Sequence, residues 1–166
     1  MSRPRTRRKR LPSAGILVYR GERPSELEVL LVHPGGPLWA KRDLGAWSIP
    51  KGEYEPDEHP LVAARREFAE ELGVAPPDGP YADLGEIRQK SGKLVHGWAV
   101  RGDLDTSEIT SNTAVVEWPP RSGRTIEIPE VDRAEWLTIE EAREKINPAQ
   151  ATLLERLRDL LAESRG

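Results

Sequence analysis

Glu67, Glu70 and Glu71 are related as i, i+3 and i+4 in the run REFAEE, residues 66–71. On a helix of 3.6 residues per turn those positions share one face, so three carboxylates crowd together. Each like-charge pair costs about 0.2–0.5 kcal/mol. A divalent cation removes that penalty, and Mg²⁺ and Mn²⁺ prefer carboxylate, carbonyl and water oxygens. The chain has no cysteine and three histidines, a poor stock for a zinc site. Arg66 lies one turn before Glu70 and can pair with it. The plainer reading is a solvated Glu/Arg-rich helix face, and the helix by itself is compatible with both.

The carboxylates need a helix with a second, apolar face. Residues 58–72 supply one: Pro60 suits the first turn, Gly73 the C-terminal cap, and Leu61, Ala64, Phe68 and Leu72 form the face that can pack on a sheet. Strands are expected at 13–20, 27–33, 84–89, 94–101 and 113–118, with the pair 84–89 and 94–101 joined around 91–92. A short strand at 47–49 stops at Pro50, and another closes at 136–137. The breaker cluster 34–37 puts 38–43 in a loop, and 119–124 reads as a turn-rich excursion. Two helices follow at 138–146 and 149–162, separated by Asn147 and Pro148. This order predicts an α/β fold, a mixed β-sheet flanked by helices.

The 166 residues, 37% of them apolar, suit one domain over 11–166 preceded by a basic arm, 1–10. No apolar run reaches membrane-spanning length and none follows the basic start as in a signal peptide. The protein is expected to be soluble and cytoplasmic. Six basic residues in the arm leave a net charge of −9 on the remainder, against −3 for the whole. An acidic body repels phosphorylated ligands unless cations intervene. The arm reads as a solvated tail or as a nucleic-acid or polyphosphate contact.

The segment GEYEPDEHPLVAARREFAEELGV, residues 52–74, resembles the signature of the Nudix hydrolase family, G-x5-E-x7-R-E-U-x-E-E-x-G-U, where U is bulky and apolar. Gly52, Glu58, Arg66, Glu67, Glu70, Glu71 and Gly73 fill the fixed positions, and Phe68 and Val74 the apolar ones. The resemblance implies an α/β/α sandwich and hydrolysis of a diphosphate linkage in a nucleoside diphosphate derivative. It implies that Glu67, Glu70 and Glu71 hold Mg²⁺ or Mn²⁺, with the carbonyl of Lys51 as a further ligand. Arg66 would orient the carboxylates, and Glu58 would brace the loop on the helix. Glu67 is one candidate general base. In several family members the base comes from a later loop, where Glu117, Glu127 and Glu130 are available. Lys41, Arg42 and Lys51 are candidate phosphate contacts.

Residues 47–52, WSIPKG, are similar to the W-x-x-P-K-G lead-in of members acting on diadenosine or inositol polyphosphates. A dinucleoside polyphosphate is therefore the leading substrate, with an oxidised nucleoside triphosphate as the alternative. The proline that marks ADP-ribose cleavers is replaced by Lys90, and no coenzyme A motif is present. Trp39, Trp98 and Trp118 could stack on a base, Trp118 foremost because it borders a loop. His33 and His96 read as packing residues. A non-catalytic nucleotide sensor and an RNA-binding role through the arm are the rival classes.

Overall fold

The computed structural model describes residues 11–163. The basic arm lies outside them. Eight strands run in the order β1 (Ser13–Arg20), β2 (Glu28–Pro34), β3 (Lys51–Glu53), β4 (Ala82–Arg88), β5 (Leu94–Arg101), β6 (Thr113–Glu117), β7 (Thr125–Pro129) and β8 (Val131–Thr138). Three α-helices accompany them: α1 (Pro60–Leu72), α2 (Ile139–Lys145) and α3 (Ala151–Glu163).

The main sheet has the order β4-β5-β1-β2-β8, with β3 paired to the end of β1. β1 runs parallel to β5; the other pairings are antiparallel, so the sheet is mixed. Strand alternation divides the apolar residues between two faces. Ala14, Ile16, Val18, Leu30 and Val32 join Ala63, Ala64, Phe68 and Leu72 of α1 in one core. Leu17, Val29 and Leu31 join Ile139, Ala142, Leu153, Leu154 and Leu157 of α2 and α3 in the other. The result is the expected α/β/α sandwich. Phe68 is fully buried, and its truncation to alanine would cost about 3–5 kcal/mol.

Helix α1 is bounded as its residues dictate. His59 is the N-cap and its Nδ1 accepts the Leu61 N–H at 3.1 Å; Pro60, lacking an N–H, occupies the first turn. Gly73 ends the helix at φ 69°, with its N–H bonded to the Ala69 carbonyl. A Cβ at Gly73 would sit 2.6 Å from the Thr110 carbonyl oxygen, so both conformation and space favour glycine.

Three elements differ from expectation. Trp47 and Ser48 form isolated bridges, to Ile146 and Val32, and the strand proper lies beyond Pro50 at β3. Pro50 has no N–H for a ladder, but its carbonyl accepts from Ile16 N–H. β8 extends over eight residues rather than two, because its polar first half is carried by pairing with β2 along an edge. β7 pairs with β6 in a separate two-stranded sheet, so the stretch after residue 124 returns as a hairpin. Among the described residues no helix is long and apolar enough to cross a membrane.

Candidate active site

The packing of α1 against β3 sets the site. Gly52 lies so close to Glu67 that a Cβ there would fall 2.0 Å from Glu67 Oε2. Glycine at this point is therefore a condition for Glu67 to lie over β3. Arg66 gathers the neighbouring carboxylates: its guanidinium lies 2.9 Å from Glu58, 3.1 Å from Glu67 and 4.0 Å from Glu70. It also reaches the Glu53 carbonyl at 3.5 Å. One cation thus links the loop before the helix, β3 and two turns of α1.

Glu71 faces the interior. Its carboxyl is pushed up to about 8, first by burial, against the opposing effect of Lys51, with Glu130 and Glu67 adding to the rise. The Lys51 backbone N–H also bonds to it. Glu67 is raised too, by burial and then by Glu70, with Arg66 opposing and Glu130 contributing. Lys51 is lowered, by burial first and then by Lys93. In each case loss of hydration outweighs the pairing, which marks a partly dry pocket of crowded charge.

Two connected hollows open on this charge. A cleft of about 480 Å³ is bordered by the loop 34–39 on one side and by Val116, Glu117, Trp118, Pro120 and Ile128 on the other, with Lys51, Glu71 and Glu130 at one end. A smaller hollow of about 130 Å³, lined by Ser48, Ile49 and Val131 among others, shares Lys51, Glu71 and Glu130 with it. The cleft is therefore polar at one end and aromatic along its walls, where Trp39 and Trp118 both line it.

The residues singled out in sequence separate into two groups. Gly52, Glu58, Arg66, Glu67, Glu70, Glu71 and Lys51 converge where α1 meets β3. Trp118 and Glu117 line the cleft. Lys41 and Arg42 do not: both are exposed, neither lines the cleft, and Arg42 lies 5.4 Å from the Trp39 ring centroid. Trp98 stacks on His96 at 4.8 Å, beside α1 rather than in the cleft.

Among the later carboxylates, Glu130 raises both Glu67 and Glu71 and lines both hollows. Glu117 is not among the main causes of either shift. The Glu127 carboxylate accepts the Thr113 hydroxyl at 2.7 Å and does not line the cleft. Lys93, which sequence reading passed over, lies 3.6 Å from Glu53 and acts on Lys51. No spacing rule connects β5 to β3; their shared neighbour β1 does.

As the side chains stand, no group of three carboxylates or histidines among the described residues is arranged to hold an ion. Arg66 and Lys51 act as the counter-charges instead. The donor chemistry nevertheless fits a hard divalent cation: it is all oxygen, and Glu67, Glu71 and Glu130 hold one another's charge at a penalty that such an ion would relieve.

Comparison with known proteins agrees with the fold. The curated RNA pyrophosphohydrolase of Halorhodospira halophila is 40% identical over 70 residues, a match covering 42% of this chain and 38% of that relative. The Caenorhabditis elegans Ap4A hydrolase binary complex superposes with a TM-score of 0.60 at 22% identity, covering 91% of this chain and 98% of that one. The NUDIX domain of Shewanella oneidensis NrtR, complexed with ADP ribose, gives 0.63 at 17% identity, covering 96% and 94%. These two likenesses show the fold. The NUDIX domain family model matches residues 9–157, and on that match the chain belongs to the Nudix family.

Proposed function

We propose that this protein is a pyrophosphohydrolase that cleaves a diphosphate linkage in a nucleoside diphosphate derivative with Mg²⁺ or Mn²⁺. The observation that carries the proposal is the mutual crowding of Glu67, Glu71 and Glu130 at the end of a cleft walled by Trp39 and Trp118. Nudix hydrolases generally use divalent metal ions. Glu67, Glu70 and Glu71, with the Lys51 carbonyl, are the residues assigned to hold them. A cation bound there lowers the pKa of water and neutralises phosphate oxygens.

The remaining roles belong to the chain. Arg66 fixes Glu67 and Glu70 against β3, with Glu58 as its anchor. The Lys51 ammonium offers positive charge to the diphosphate. Glu130 takes the proton from the attacking water, in preference to Glu117, because it is the later carboxylate that acts on Glu67 and Glu71. Trp39 and Trp118 flank a base, the kind of stacking worth about 1–3 kcal/mol.

Within this class the favoured substrate is a dinucleoside polyphosphate, supported by the WSIPKG lead-in at residues 47–52. The partial match to an RNA pyrophosphohydrolase favours a second reading, the 5′-polyphosphate end of RNA. The test is a panel of diadenosine tetraphosphate, ADP-ribose, 8-oxo-dGTP and 5′-triphosphorylated RNA, each with Mg²⁺ and with Mn²⁺, products identified by mass. Cleavage of none, alongside binding of one, would make the protein a nucleotide sensor instead.

A further inference from the structure

His33 is fully buried at the end of β2. Up to this residue β2 and β8 keep regular antiparallel register, with His33 opposite Arg133; the next pair is Pro34 with Val131. Asp132 is therefore an extra residue, a β-bulge. In an unbulged ladder the residues before Asp132 would slip by one position, and a one-residue slip sends a side chain to the opposite face. The bulge thus sets the register in which the chain passes from Glu130 into β8, two residues away. Gly35 N–H, donating to the Glu130 carbonyl at 3.1 Å, continues the shifted pairing.

His33 holds both sides of that bulge. Its Nδ1 lies 2.8 Å from Asp132 Oδ1, and its Nε2 lies 2.5 Å from the Arg42 carbonyl oxygen. Both ring nitrogens are thus engaged, one by each of two separate segments. The ring meets Trp47 edge-on, centroids 5.1 Å apart, and the Trp47 indole N–H donates to Asp43 Oδ1 at 2.8 Å. Arg42 and Asp43 belong to the same loop as Leu38 and Trp39, which wall the cleft.

We infer that His33 is a positioning residue: through Asp132 it pins the bulge that directs Glu130 to the carboxylate cluster, and through Arg42 it tethers the loop wall of the cleft. The inference rests on the assignment of Glu130 as the proton acceptor. A histidine that merely fills space has no need to contact polar atoms of two separate segments through both ring nitrogens.

The two ties can be cut separately. An asparagine amide nitrogen stands near the place of Nδ1, and a glutamine amide nitrogen near that of Nε2. With diadenosine tetraphosphate and Mn²⁺, His33→Gln and Asp132→Ala lose roughly 10–100-fold in kcat while KM changes little, the mark of a displaced catalytic group. His33→Asn keeps kcat and raises KM. Without substrate, amide exchange at Gly35 quickens in His33→Gln and Asp132→Ala but not in His33→Asn. Should His33→Gln not fold, Asp132→Ala carries the same test, since that side chain is 31% exposed. Equal Gly35 protection in all variants, or equal kcat losses in His33→Asn and His33→Gln, would overturn the inference. The stated exchange pattern in a protein that cleaves no diphosphate would uphold the placement of Glu130 and overturn the proposed activity alone.

Discussion

The Glu58 carboxylate and the Arg66 guanidinium meet at 2.9 Å, joining the loop before α1 to the helix that carries the metal-binding candidates. The same guanidinium touches Glu67 and Glu70, so loss of either partner changes the presentation of the carboxylates. Arg66→Lys keeps the charge but lacks the planar fork that serves several acceptors at once. It is expected to lower kcat roughly 10–100-fold and to weaken Mn²⁺ binding, read by turnover and by calorimetric titration. Glu58→Gln should show the same pattern more weakly. Full activity in Arg66→Lys would remove Arg66 as the organiser.

Glu71 predicts a pH dependence of stability in the metal-free protein. Burial raises its carboxyl from the ordinary 4.5 to about 8. The folded state therefore holds a proton that the unfolded chain has released, and the contribution is fully present below pH 4.5 and lost as pH rises through about 8. Tm is expected to fall over that interval, and Glu71→Gln should flatten the slope. Mn²⁺ added at pH 7 should release protons, because ligation requires the ionised form. A weakly buffered titration with pH dye measures the release.

Gly52→Ala tests the close approach of β3 to Glu67. The clash is with the Glu67 side chain from Cγ outward and not with backbone, so Glu67 is expected to yield and the fold to survive. Tm should change by only a few degrees, while kcat falls on the order of 100-fold, as for an ångström-scale displacement of a reacting group. A large drop in Tm with kcat preserved in the folded fraction would assign Gly52 to folding alone.

Trp118→Ala should raise KM for a nucleotide substrate roughly tenfold with kcat little changed, the cost of one lost stacking surface. Trp98→Ala is the contrast: Trp98 packs against His96 on the α1 side of the sheet, so its loss should lower Tm and leave KM alone. Steady-state kinetics of the two variants, with thermal melts, separates a cleft wall from a core residue.

Sequence disclosed α1 well, because a proline in the first turn, a terminal glycine and an apolar stripe are local signals, and helical periodicity then places Glu67, Glu70 and Glu71 within its last two turns. β1 was equally legible as a short apolar run. β7 was not. Its five residues alternate half-buried and exposed positions on a small hairpin, which leaves little apolar pattern next to a turn-rich segment. The beginning of β8 was hidden for a related reason: it is a polar edge strand, held by β2 rather than by burial. Glu130 could not be ranked above Glu117 and Glu127 from spacing, since its place beside Lys51 and Glu71 follows from the long-range pairing of β8 with β2. Trp47, part of the lead-in to the signature, is a buried core residue whose indole N–H donates to Asp43. Lys41 and Arg42 looked apt by charge, but neither lines the cleft.

The hairpin of β6 and β7 hydrogen-bonds to itself and stands outside the six-stranded sheet. It nevertheless supplies one whole side of the cleft. If the cleft takes the substrate as proposed, ligand preference would rest on an appendage with its tip at residues 117–125, outside the sheet and α1. Grafting that tip between relatives is accordingly a direct route to redirecting what the scaffold accepts.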